Sequence, residues 1–95
     1  MAGCYTKGDV AVNVHKAIEA GDKLAKDGWC PFIPHLTHFW HLVSPHPWEF
    51  WMAIDQEVLK RCDAIYMMRG FEASQGATKE HIMAYELGLE IYYEQ

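Results

Sequence analysis

No apolar run in this sequence approaches the roughly 18 residues that a membrane-spanning helix requires, and no basic leader followed by an apolar stretch marks a secretory signal. A membrane partner is not expected. Basic residues are scarce as well: 8 lysines and arginines against 13 aspartates and glutamates leave a net charge of -5. That is the wrong sign for a surface that must displace counterions from a nucleic acid polymer or lie on anionic lipid. Cysteine is sparse, with Cys4, Cys30 and Cys62 forming no CxxC pair and lying in apolar segments. They read as reduced thiols of a cytoplasmic protein rather than a disulfide framework. Repeats, low-complexity tracts and linkers are missing too. What remains is an ordinary globular composition, 51% hydrophobic and 22% charged over 95 residues, which fits a single domain (1–95) with one modest core.

Glycines and prolines fall between the periodic segments and act as punctuation. "MAGCY" reads as the stub of a buried strand running into a "TKGD" turn. From Asp9 to Lys26, the residues Val10, Val14, Ala17, Ile18, Gly21, Leu24 and Ala25 follow the helical period, with Asp9 as cap and Gly28 as stop. "WCPFIP" is a short apolar run whose two prolines predict a strand near an edge or one that ends early. Residues 36 to 47 have loop character, Trp48 to Cys62 is a second helix, and "DAIYMM" is a buried strand. "RGFEASQG" is a loop, Ala77 to Leu87 a third helix, and "EIYYE" a last strand.

The order β-α-β-α-β-α-β predicts an α/β fold: a three-layer α/β/α sandwich, Rossmann- or flavodoxin-like, on a mostly parallel sheet of about four strands. Ligands of such sheets bind beyond the C-terminal ends of the strands. That rule gathers Tyr5 to Asp9, His35 to Pro47 and Arg69 to Gly76 on one rim, with the start of the third helix beside them.

Two acids interrupt faces that should be buried. At about 100° per residue, Ala77, Glu80, Ala84, Leu87 and Gly88 share the inner face of the third helix. Asp55 sits within the stripe Trp48, Trp51, Met52, Val58, Leu59 and Cys62 of the second. A buried carboxylate is costly unless paired or used, and two beside one rim point to function. Glu80 is expected about a turn from its helix N-terminus, where the dipole favours the ionised form and suits a nucleophile. Asp55, among apolar groups, is expected to have a raised pKa and to carry a proton. Glycoside-cleaving enzymes divide their two carboxylates in this way.

Other features are less specific. Ser74 and the backbone ahead of the third helix can cradle a phosphate, or Ser74 can simply cap the helix. His35, His38 and His41 are spaced over too wide an arc for one metal, so rim histidines are expected and no metal site. Phe39, Trp40, Trp48, Phe50 and Trp51 are core, interface or a wall on which a nucleobase stacks.

These segments together resemble the nucleoside 2-deoxyribosyltransferase superfamily, which includes the 2'-deoxynucleoside 5'-phosphate N-hydrolases, from about Met1 to Tyr93. "AGCYTKGD" is similar to its strand-one turn, and "NVHKAIEAGDKLAKDGWCPFIPH" to its first helix and second strand. "DQEVLKRCDAIYMM" keeps an Asp eight residues ahead of the Asp that opens strand three, and "SQGATKEHIMA" matches Gly-x-x-x-Glu-x-x-x-Ala around the nucleophile. The resemblance implies that Glu80 attacks the anomeric carbon of a 2-deoxyribosyl group, that Asp55 handles the proton of the departing base, and that the sugar then passes to another base; the alternatives are transfer to water, as in a 2'-deoxynucleoside 5'-monophosphate N-hydrolase, and a non-catalytic nucleotide-binding module. It further implies substrate contacts from Gly3, Tyr5, Thr6, His35, Ser74 and Gly76, no cofactor, a small nucleoside or nucleotide as ligand, and a homodimer or higher homo-oligomer. The family's strand-one Tyr falls ahead of Met1, so strand one is expected to be truncated: either the chain starts late, or Tyr5 or Tyr66 takes that residue's place, or the activity is lost.

Overall fold

The computed structural model describes residues 10–95. The expected strand at "MAGCY", its turn, the Asp9 cap, Cys4 and the candidate residues Gly3, Tyr5 and Thr6 lie outside the described residues.

Helix α1, Val10–Lys26, turns Val14, Ala17 and Gly21 inward, an i, i+3, i+7 set that makes one narrow face. It stops at Gly28, whose φ of 99° lies in the left-handed region. There the Trp29 N–H reaches back to the Leu24 carbonyl at 3.1 Å and satisfies one of the helix's last acceptors. Beyond it "WCPFIP" is not a strand: residues 29–33 have no regular structure and run into a 3-10 turn at Pro34–Leu36. Pro31 and Pro34 remove two backbone donors from a six-residue run, which leaves too few for a ladder.

Residues expected to be loop carry a short helix, α2, Thr37–Val43. Its first turn is tied by the Thr37 hydroxyl, which donates to the Pro34 carbonyl at 2.7 Å. Helix α3, Trp48–Leu59, follows Pro47 and buries Met52 and Leu59 on one side. Strand β1, Ala64–Met67, then enters the 3-10 turn Phe71–Ala73, helix α4 spans Gln75–Leu87, and strand β2 covers Glu90–Tyr93.

β1 and β2 pair in parallel with Ala64 opposite Glu90 and Met67 opposite Tyr93, so α4 is the crossover of one β-α-β unit. Ile65 and Met67 point into the core with Leu59, Ala77 and Ala84, and Phe71, Met83, Leu89 and Ile91 pack around them. α4 lies on both strands and against α3.

This corrects the expected architecture. Among the described residues the sheet has two strands, not about four, and four α-helices dominate. Neither a three-layer sandwich nor a Rossmann-like sheet describes them. No helix among the described residues is long and apolar enough to cross a membrane.

Candidate functional site

The site forms where α4 presses against α3. Ser74 caps α4: the Ala77 N–H donates to Ser74 Oγ at 3.2 Å, and the Thr78 N–H donates to the Ser74 carbonyl at 3.0 Å. Two residues on, a Cβ added at Gly76 would stand 3.2 Å from Met52 Sδ and 3.8 Å from Trp48 Nε1. The missing side chain therefore sets how closely the helices approach. The contact is completed by the Lys79 ammonium, 4.9 Å from the centre of the Trp48 ring.

One turn after Gly76 comes Glu80, and one turn after that Ala84. Ala77 and Ala84, both buried and small, flank the Glu80 carboxyl, which is itself only 8% exposed. From α3, Asp55 enters the same space one turn beyond the buried Met52. Its Oδ1 is fully buried and accepts no hydrogen bond from a described residue.

Both carboxyls line a cavity of about 460 Å³. Its lining includes the aromatic residues Trp29, Phe32, Tyr66, Tyr92 and Tyr93 among aliphatic ones, and Arg61. The register explains two of these: Tyr66 pairs with Tyr92, on the strand face opposite the buried Ile65 and Met67. Trp29 meets the Tyr92 ring edge-on, with centroids 5.7 Å apart. The Arg61 guanidinium is engaged by its neighbour, donating to the Glu57 carbonyl at 2.8 Å and carboxylate at 3.1 Å.

Burial pushes the Asp55 carboxyl up to about 6. Burial, and then the Asp55 charge, push Glu80 up to about 8. At neutral pH the pair therefore holds one proton, and it resides mainly on Glu80. The raised Asp55 is as expected from the sequence, whereas Glu80, expected to be ionised, is not. Glu80 is the sixth residue of α4, counted from Gln75, whereas dipole and free N–H groups act within the first turn. Desolvation is left to dominate.

The remaining sequence candidates are dispersed. Ser74 and Gly76 hold the start of α4 and do not line the cavity. His35 is buried in the Pro34–Leu36 turn, next to the lining residue Pro34 but outside the lining itself. His41 is structural: its Nδ1 accepts from the Trp51 indole N–H at 3.0 Å and from the His46 N–H at 3.3 Å, so the ring carries its proton on Nε2. Among the described residues, no three His, Cys, Asp or Glu side chains gather as metal ligands would.

The expected base wall also sits elsewhere. Trp40, Phe50 and Trp51 pack on one another between α2 and α3, with Trp40 and Trp51 centroids 5.0 Å apart, and none of them lines the cavity. Of the aromatic residues that do, the sequence reading offers only Tyr66, as a stand-in for the strand-one Tyr, and not Trp29, Phe32, Tyr92 or Tyr93, although period-2 alternation in "AIYM" and "EIYY" puts Tyr66 and Tyr92 on the face away from the core.

The family described as "Domain of unknown function (DUF4406)" matches residues 1–93. The chain belongs to the DUF4406 family. No curated protein and no solved structure matches it. Both acids and the lining residues fall inside the matched DUF4406 span.

Proposed function

We propose that this DUF4406 domain cleaves the N-glycosidic bond of a 2'-deoxynucleoside and transfers the 2-deoxyribosyl group to another base through a covalent bond to Glu80. The observation that carries the reading is that Glu80, buried, and Asp55, with one oxygen buried, come from two packed helices to line one cavity, where burial raises both carboxyls and Glu80 the further. A departing base needs a proton on its ring nitrogen, and a sugar losing that base needs an anionic oxygen at the anomeric carbon. One shared proton and one carboxylate supply both. Glu80 passes its proton to Asp55, and Asp55 passes it to the base as the C–N bond breaks. The freed Glu80 carboxylate bonds the anomeric carbon. An incoming base returns its N–H proton along the same route as it takes the sugar. Trp29 and Tyr92 offer the flat surfaces on which a base stacks. By the resemblance, the enzyme works as a homodimer or higher homo-oligomer.

A second reading is a 2'-deoxynucleoside 5'-monophosphate N-hydrolase, in which water replaces the acceptor base. Ser74 favours it, since its hydroxyl stands at the N-terminus of α4, where backbone N–H groups suit a phosphate. A non-catalytic nucleotide-binding module is the third, favoured by a resting Glu80 that carries a proton and so is not yet a nucleophile.

The test is base release followed by chromatography, using 2'-deoxynucleosides and their monophosphates with and without a free acceptor base. Release only with acceptor is the expected result. Release without acceptor supports the hydrolase, and saturable nucleotide binding without turnover supports the binding module. Mass spectrometry of the acid-quenched protein should find the sugar on Glu80. A label on Asp55 would exchange the two roles, as the resting charges alone suggest.

A further inference from the structure

Helix α2 carries its apolar residues on the side that faces solvent. Leu36, Phe39, Trp40 and Val43 fall at i, i+3, i+4 and i+7, one continuous stripe, and Leu36 already has helical backbone angles as the N-cap. No residue of α2 is buried. Val43 is 87% exposed and Phe39 56%, while Leu36, Trp40 and the neighbouring Leu42 are exposed as well. The helix is nonetheless anchored, because Trp40 sets its inner edge on Trp51 and Phe50 with ring centroids 5.0 and 5.9 Å apart. A held helix with its stripe outward is an interface geometry rather than a frayed end.

The charge pattern identifies the occupant. From Trp29 to Trp48 the sequence has no Asp, Glu, Lys or Arg, in a chain of net charge -5. Two copies repel over most of their surfaces, but meet no like charge here. Anionic lipid or an acidic partner would need basic residues along the stripe, and the segment provides none. The area fits also: on the order of 500 Å² of apolar side chain per copy gives about 1,000 Å² in a symmetric pair, the lower bound of a specific interface.

We infer that the α2 stripe is an isologous dimer interface, occupied by the same stripe of a second copy of this chain. The stripe starts two residues after Pro34, a wall of the cavity, so pairing would also brace that wall. The inference deepens the homo-oligomer part of the reading above by naming its surface, and does not depend on glycosidic cleavage.

Sedimentation velocity of the full chain tests it at tens of micromolar, with Val43→Lys, Val43→Ser and Phe39→Lys as interface variants and Tyr85→Lys as a control on the exposed side of α4. The parent and Tyr85→Lys should sediment at twice the chain mass. The interface variants should fall to half that mass with unchanged circular dichroism. A monomeric parent overturns both the interface and the homo-oligomer reading. A dimer that survives all three interface variants leaves the homo-oligomer reading standing and overturns this surface. A monomeric parent that co-sediments with phosphatidylcholine vesicles, and loses that binding in Val43→Lys, assigns the stripe to lipid and overturns the second copy.

Discussion

The Asp55 carboxylate acts on Glu80 across the α3–α4 contact, adding its charge to a desolvation that already disfavours the Glu80 anion. Each acid lies on the packed side of its helix, and Gly76 lets those sides meet. The pair is consequently a liability to the fold as well as a chemical tool, and the two aspects can be measured separately.

Stability should fall as pH rises. Glu80 moves from an ordinary 4.5 in the unfolded chain to about 8 when folded, so between those values the folded state holds the extra proton. The stability linked to it is present below 4.5 and lost as pH climbs through 8. Glu80→Gln carries a neutral group in both states. At neutral pH it should be more stable than the parent by on the order of 3 kcal/mol, a large share of the roughly 5–15 kcal/mol that holds a small domain together. Thermal denaturation of the two proteins from pH 4 to 9, read as about a flat difference in Tm, would refute the assignment.

Removing the neighbour's charge should relax Glu80 without making it ordinary. In Asp55→Asn the Glu80 pKa should drop below about 8 yet stay above 4.5, because burial is its larger cause. Carbon-detected NMR titration of the glutamate side chain reads this directly. Base release should fall by about 10²-fold or more, the usual contribution of a positioned proton carrier. An unmoved Glu80 titration would mean that the two carboxyls do not face one cavity.

Gly76 should tolerate one carbon and reject three. Alanine there stands 3.2 Å from the sulfur of a flexible methionine, which can yield by a few tenths of an ångström, and helix propensity returns up to about 1 kcal/mol. Gly76→Ala should therefore be close to neutral in stability. Gly76→Val should force α4 from α3 and cost about 1–3 kcal/mol. Denaturant midpoints check both, and equal destabilisation by Ala and Val would point to a backbone cause instead.

The sequence made the β-α-β unit legible but not the rest of the sheet. "DAIYMM", the Gly-x-x-x-Glu-x-x-x-Ala helix and "EIYYE" have clear periods and were placed within a few residues of β1, α4 and β2. "WCPFIP" misled because apolar content suggested a strand while Pro31 and Pro34 withheld the donors that a strand needs. α2 was missed because prolines and histidines around it look like loop, although Leu36, Phe39, Trp40 and Val43 carry the helical period. The two acids were found from periodicity alone. The raised Asp55 carboxyl follows from its apolar neighbours, as expected, but the protonation of Glu80 does not follow from spacing, because it depends on how deep in α4 Glu80 lies and on which group faces it.

Ser74 offers a way to separate capping from substrate binding. Its Oγ accepts the Ala77 N–H at 3.2 Å, and Ser74→Ala should lose about 1 kcal/mol for that reason alone, so an activity loss in that variant would be ambiguous. Aspartate at the same position is an equally good cap and favours the helix dipole, while its charge repels a phosphate. Ser74→Asp should keep the parent's Tm and its turnover of 2'-deoxynucleosides. If Ser74 holds a 5'-phosphate, turnover of the monophosphate should fall by about 10-fold or more through KM, since one lost charge-assisted contact plus repulsion exceeds 1.4 kcal/mol. Equal KM values in parent and variant for both substrates would leave Ser74 as a cap only, and the N-hydrolase reading would lose the residue that favours it.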